Sequence, residues 1–153
     1  MRILVISDSH GNSRKLFNVI EAHADIDTIF FLGDGIREFE DVYDAYPEKK
    51  LFSVRGNCDF ISNRPSSDLC KLGKAIILYT HGDAYGVKSG LGNLIIAAKE
   101  RGAGIALFGH THQRCAEIHT GVCLFNPGSL GSDGSYGIIE ISDDKINMSH
   151  YVM

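Results

Sequence analysis

The chain has 153 residues, 44% of them hydrophobic and 22% charged, with a formal net charge of −4. That balance fits one globular domain, spanning residues 1–153, with a real core. It gives no electrostatic case for a nucleic-acid groove or an anionic membrane surface, and no apolar run approaches the roughly 20 residues a membrane helix needs.

Arg2–Ile6 reads as a short buried strand. Only four apolar residues, Ile3 to Ile6, precede Ser7-Asp8, too few for a signal peptide. Asn12-Ser13 then offers a helix cap, and Leu16, Phe17, Ile20 and Ala24 recur at helical spacing. Thr28–Leu32 is a second apolar strand. Ile36, Phe39 and Tyr43 mark a helix stopped by Pro47, and Leu51–Val54 is a third strand. This β-α-β-α-β opening indicates a layered α/β fold with parallel strands.

The second half differs in character. Asp68–Leu72 and Ala75–Thr80 flank Gly73-Lys74 as a hairpin. Leu91, Leu94, Ile95 and Ala98 predict a helix ending at Gly102, followed by a strand at Ile105–Phe108. Short strands follow at Glu117–Thr120, Val122–Phe125, Tyr136–Ile141 and Lys145–Tyr151, with turns at Gly121 and Asp143-Asp144, so antiparallel pairing is expected at the C-terminal end. The Gly/Ser-rich stretch Pro127–Gly137 reads as a loop. The four cysteines, Cys58, Cys70, Cys115 and Cys123, form no C-x-x-C pair. With no export signal, this predicts free thiols in a reducing, cytoplasmic setting.

The polar residues cluster at strand ends. Asp8 and His10 follow the first strand, Asp34 the second and Asn57 the third. His81 follows Ala75–Thr80, and His110 and His112 follow Ile105–Phe108. In open α/β sheets ligands bind outside the carboxyl ends of the strands, so five strand ends deliver seven candidate ligands to one rim. Glycines adjoin most of them, at Gly11, Gly33, Gly35, Gly56, Gly82 and Gly109. Four imidazoles, two carboxylates and an amide form a nitrogen and oxygen set suited to zinc, iron, manganese or nickel, whereas carboxylate favours manganese or magnesium. Seven ligands exceed one tetrahedral zinc and suit two metals about 3.5–4 Å apart, the arrangement that serves displacement at phosphorus. Each motif alone reads as a turn or a cap; the constellation carries the inference. Gly102-Ala103-Gly104 is no dinucleotide fingerprint, because it precedes a strand and lacks the third glycine.

Asp8-Ser9-His10-Gly11-Asn12, Gly33-Asp34, Gly56-Asn57-Cys58-Asp59, His81-Gly82 and Gly109-His110-Thr111-His112, in that order, resemble the calcineurin-like metallophosphoesterases. The small size and Asn126-Pro127-Gly128-Ser129 resemble the compact phosphodiesterase branch of that family. The resemblance implies a four-layer α-β-β-α sandwich with two mixed β-sheets. It implies two divalent metal ions per chain, manganese favoured, with nickel, zinc, iron or magnesium as alternatives. Asp8, His10, Asp34 and His112 would hold one ion. Asp34, Asn57, His81 and His110 would hold the other, with Asp34 bridging and a hydroxide between the metals attacking phosphorus. Asp34, Asn57 and His81 are the residues assigned to catalysis.

Many larger members carry a histidine where Cys58 stands, oriented by a following acid. Here Asp59 remains without an imidazole to orient, and Cys58 is expected to be dispensable. Without a strong general acid, aryl phosphates and activated diesters should outpace alkyl monoesters. Asn12 is balanced between contacting phosphate and capping the first helix. His23, His119 and His150 are expected to be ordinary surface or edge histidines. The expected partner is a small phosphate-ester substrate, with no membrane or nucleic acid. A homodimer or higher homo-oligomer rests on the resemblance alone. The rival expectation is a non-catalytic scaffold of the same fold, against which all seven ligand positions are filled.

Overall fold

The computed structural model describes residues 1–143 and 145–153. In chain order the elements are β1 (Arg2–Ile6), α1 (Ser13–Ala22), β2 (Thr28–Phe31), α2 (Ile36–Ala45), β3 (Lys50–Ser53), β4 (Ser67–Leu72), β5 (Ala75–Thr80), α3 (Gly92–Glu100), β6 (Ile105–Leu107), β7 (Cys115–His119), β8 (Val122–Asn126), α4 (Leu130–Asp133), β9 (Ser135–Ile141) and β10 (Ile146–Val152). They build two five-stranded mixed sheets, ordered β10-β9-β1-β2-β3 and β4-β5-β6-β8-β7.

The layering follows from the two-residue period of a strand. Leu4, Ile6, Ile29 and Phe31 leave the first sheet on one face and pack with Leu16, Val19 and Ile20 of α1 and Phe39 and Val42 of α2. Ile3, Val5, Phe30 and Leu32 leave it on the other face. There they meet Ile77, Tyr79, Ile105, Leu107 and Phe125 of the second sheet. The reverse face of the second sheet gives Leu78, Ala106 and Leu124 to Leu94 and Ala98 of α3. The result is helix, sheet, sheet, helix, the expected four-layer α/β sandwich. Strands buried on both faces explain why β1 and β2 read as unbroken apolar runs.

β1, β2 and β3 are parallel, as the opening pattern predicts. Antiparallel pairing at the C-terminal end is also present, in β9–β10 and β7–β8. However, β9 pairs with β1 and so extends the first sheet, while β5, β6 and β8 are parallel in the second. The turn at Asp143-Asp144 includes Asp144, which lies outside the described residues; the pairing on either side closes with Ile141 opposite Ile146. Thr120 and Gly121 both have positive φ between β7 and β8, a two-residue hairpin turn of the kind that matches strand twist.

Two expectations need correction. The first helix stops at Ala22, and Ala24 is exposed beyond it. The His23 N–H bonds to Val19 O and Ile20 O, and Ile26 N–H then bonds to His23 O, a tight turn into β2. Pro127–Gly137 is not wholly a loop. It contains α4, capped by the Ser129 side chain accepting from Ser132 N–H and ended by Gly134 at φ 74°, with β9 starting at Ser135. Leu130 is fully buried, and it anchors this short turn against the first core.

Among the described residues no helix is long and apolar enough to cross a membrane. All four cysteines are free, as expected.

Candidate metal centre

The ends of β1, β2, β3, β5 and β6 meet at one rim, and all seven candidate ligands reach it. His112 Nε2 lies 3.1 Å from Asp8 Oδ1, His10 Nε2 lies 3.7 Å from the same oxygen, and the two imidazole nitrogens are 3.2 Å apart. On the other side His81 Nε2 lies 3.5 Å from Asp34 Oδ2, 3.0 Å from Asn57 Oδ1 and 3.2 Å from His110 Nδ1. Asp34 Oδ2 is also 4.0 Å from His10 Nε2, which places this carboxylate between the two groups. Asp8, His10 and His112 form one set of converging donors, and Asp8, Asp34 and His81 another.

Backbone geometry marks the same residues. Among the described residues six non-glycine positions have positive φ, and five of them are Asp8 (55°), His10 (46°), Asp34 (57°), His110 (65°) and His112 (58°). This region costs an L-residue energy and is populated where surrounding structure imposes it, often at functional sites. The loops that impose it interleave closely. A Cβ on Gly56 would overlap the Asp34 carboxylate, and one on Gly109 would overlap the Ser7 hydroxyl. These two glycines are therefore required by close approach.

Several polar groups hold the candidate ligands in place. His81 is fully buried, and its Nδ1 lies 2.8 Å from Leu32 O, so Nδ1–H donates to that carbonyl and Nε2 is left with its lone pair facing the site. Burial would lower the His81 pKa, but the Asp34 hydrogen bond and the Asp8 and Asp34 charges raise it. Burial likewise opposes ionisation of Asp34, yet His81 and the Cys58 N–H, 2.8 Å from Asp34 Oδ1, hold its carboxyl far below the usual range. His110 is lowered by burial and then by the His81 and Lys88 charges.

Asp59 has a role that the sequence did not suggest. Its carboxylate accepts N–H groups from Asp34 (2.7 Å), Gly35 (2.9 Å), Ile36 (3.0 Å) and Gly56 (2.7 Å). It thereby caps α2, whose own cap, Gly35, has no side chain to offer, and it ties the loop after β2 to the loop after β3. No imidazole is needed to explain it. Asn12 accepts from Lys15 N–H at 3.1 Å, which is helix capping. Cys58 is exposed, but its thiol falls within 4.8 Å of His10 and Asp34 donor atoms, closer to the cluster than expected. Burial of the sulfur and the neighbouring Asp34 push the thiol pKa up.

Three further residues brace the cluster: Glu38, which the sequence reading did not single out, and Asn126 and Ser129, which it noted only as part of a family-like motif. Glu38 accepts from Ser9 Oγ (2.8 Å) and Gly11 N–H, bracing the loop that carries His10. Asn126 donates to Gly109 O (2.8 Å) and Thr111 Oγ1 (3.0 Å), bracing His110 and His112. Ser129 Oγ donates to Asp8 O at 3.0 Å. Asn126 ends β8, so the strand-end rule would also have given it a role at the rim; Glu38, inside a helix, carries no such signal. Two of the histidines expected at the surface or an edge are half-buried with partners, and His150 does lie on the edge strand β10. His23 Nε2 is 3.0 Å from Tyr136 Oη, and His150 stacks on Phe125 with Nε2 2.7 Å from Asn126 O. His119 is exposed beside Glu117, as expected.

A cation fits this arrangement on one decisive observation. Among the described residues Asp8 Oδ1 is the buried side-chain oxygen that accepts no hydrogen bond, and the His10 and His112 nitrogens approach it without supplying one. A buried carboxylate oxygen left so is costly unless something positive completes it.

The comparisons with known proteins agree. Residues 1–144 match the family described as the calcineurin-like phosphoesterase superfamily domain. The probable metallophosphoesterase YsnB of Bacillus subtilis is 34% identical, over 99% of this chain and 90% of the relative. The vacuolar protein sorting-associated protein 29 of Schizosaccharomyces pombe is 29% identical, over 100% of this chain and 83% of its own. A crystal structure of a predicted phosphoesterase from Streptococcus pneumoniae superposes with a TM-score of 0.87 at 28% identity, covering 99% of this chain and 88% of that one. With the family match and the Bacillus relative each spanning almost the whole chain, this protein belongs to the calcineurin-like phosphoesterase superfamily.

Proposed function

We propose that the chain hydrolyses phosphate esters with two divalent cations and prefers diesters with good leaving groups. The observation that carries this is the unsatisfied buried Asp8 Oδ1, set among imidazole nitrogens, with the ionised Asp34 carboxylate reaching both donor sets. Asp8, His10, Asp34 and His112 would hold one cation, and Asp34, Asn57, His81 and His110 the other. Such a pair supplies Lewis acidity at the phosphoryl oxygens and lowers the pKa of attacking water.

The chain's own residues set the conditions. Leu32 O fixes the His81 tautomer, and Asp59 fixes the spacing between Asp34 and Asn57. No imidazole stands at position 58 to protonate the departing oxygen. A cysteine stands there in place of an imidazole. Leaving groups that need no proton, such as aryloxides, are therefore favoured over alkoxides.

The test begins with chelator-stripped protein and bis-aryl and mono-aryl phosphates, adding manganese, nickel, zinc and magnesium separately. Metal-dependent turnover of the diester, lost in Asp34→Asn, supports the proposal. Cys58→His should raise monoester turnover; no gain in a folded, metal-loaded variant would count against the leaving-group argument. Similarity to vacuolar protein sorting-associated protein 29 supports a second reading, a scaffold. Its signature would be binding of two metals with no turnover of any ester.

A further inference from the structure

The donor cluster opens onto a second, larger space. A cavity of about 230 Å³ carries His10 and Asp34 and is bounded by Arg37, Cys58 and Asp59. The same three residues also line a groove of about 780 Å³ that continues away from the metal centre between α2 and the loop after β3. Phe60, Ile61 and Ile36 line this groove and not the smaller cavity. The smaller cavity lies below the usual size of an organic ligand site and the larger one within it.

Phe60 and Ile61 are 87% and 97% exposed. Scattered exposed apolar residues are ordinary, but two adjacent ones on a braced loop beside a reaction centre are not. The loop is held at both ends. Asp59 N–H bonds to Gly56 O, Ser62 N–H to Asp59 O, and Arg55 N–H to Pro65 O. Arg64 closes the wall by bonding both Glu40 carboxylate oxygens (2.9 and 3.1 Å) and lying over the Tyr43 ring at 4.4 Å. Arg64 is thus occupied. Arg37, by contrast, has no ion pair among the described residues and faces both spaces.

We propose that this groove is the specificity site for the organic group of the phosphoester, and that it selects an apolar, ring-bearing group. The ring packs on Phe60 and Ile61 while the phosphoryl group sits at the cluster, with Arg37 pairing its negative charge where the two spaces join. The proposal rests on the phosphoesterase reading and names the substrate class for that site. The cysteine at position 58 contributes by its small size: it forms the boundary shared by the two cavities, where a larger side chain would narrow the passage.

The test measures binding, not turnover, on the manganese-loaded full chain by titration calorimetry. Two non-hydrolysable probes are compared, methylphosphonate and naphthylmethylphosphonate. The ring should tighten binding about tenfold or more, the scale of burying an aromatic group. In Phe60→Ala/Ile61→Ala that preference should fall to within about threefold, with methylphosphonate affinity unchanged; both residues are exposed, so the fold should be retained. Arg37→Ala should weaken both probes by a similar factor and leave their ratio intact. Equal binding of the two probes by the unaltered chain overturns the groove proposal but spares the phosphoesterase reading. Failure of both probes to bind overturns the groove proposal as well, whereas the phosphoesterase reading falls only if no ester shows metal-dependent turnover. No ring preference, with a dimer in sedimentation that dissociates in the double variant, would instead assign the patch to a second copy of the chain.

Discussion

The two sides of the donor cluster are built differently. His10 and His112, against Asp8, are 36% and 42% exposed at their side chains, and each imidazole is carried on a loop without a hydrogen bond to a backbone carbonyl among the described residues. His81 and Asp34 are 0% and 4% exposed, and each is held by named partners, Leu32 O for one and the Cys58 N–H for the other. One side is a preformed socket; the other is a pair of open arms over an unsatisfied carboxylate oxygen. The difference teaches where loss of a side chain should be felt: in stability on the buried side, in metal retention on the exposed one.

The largest effect should come from Asp34, which belongs to both sides. Asp34→Asn should cut phosphodiester turnover by about 10²–10³-fold or more, the scale of losing one preorganised electrostatic group, because the carboxylate proposed to hold both cations becomes a neutral amide. Steady-state rates at saturating manganese check this.

The comparison is tested most directly by His81→Ala against His112→Ala. The first removes a fully buried ring and strands Leu32 O, so the metal-free chain should lose about 2–4 kcal/mol in urea unfolding. The second should stay within about 0.5 kcal/mol of the parent, yet lose one of two metal equivalents in equilibrium dialysis. Comparable destabilisation by both would erase the distinction.

Asp59→Ala should loosen the buried side without touching a proposed ligand. Four backbone N–H groups lose their acceptor, at a cost of about 1–3 kcal/mol, and metal affinity should fall about 10–100-fold, as when a residue that orients ligands is removed. Asp59→Asn should fall between the two, because an amide can accept on one side only.

The smallest effect lies outside the cluster. Burial, then the Arg2 charge, lowers the His23 pKa below 6.5, against the pull of Asp25. The unfolded chain therefore binds this proton more readily. The stability from His23 is complete above pH 6.5 and is lost as pH falls through the folded value. His23→Leu should flatten the slope of Tm between pH 7.5 and 5.5 by about 1–2 °C. An unchanged slope would show that Tyr136 and Tyr151 tolerate the charged ring.

Much of this was legible in the sequence because it is local. Apolar runs of strand length, a capping Asn12 and candidate ligands placed just after strands all leave marks within a few residues. The fate of β9 does not. Its neighbour β1 lies more than a hundred residues away, and Tyr136–Ile141 carries no sign of which sheet it will join. Asp59 misled for a related reason. It stands where the family pattern suggests an orienting acid, but its work is done on the backbone N–H groups of residues 34 to 36, a contact that no motif spells out. The Gly/Ser-rich appearance of Pro127–Gly137 hid α4, because one buried leucine and a serine cap suffice for a single turn.

The two donors contributed by His110 and His112 are two residues apart in the chain, yet they go to opposite sides of the cluster. They are also the last of the seven to be synthesised, and the groups that brace their loop and Asp8, Asn126 and Ser129, come later still. In a chain emerging from the ribosome, Asp8 to His81 precede the residues that complete either side. If the cluster holds cations as proposed, an ion captured early would meet only a partial donor set, and the order of the genetic message would delay tight loading until the last quarter of the chain is made.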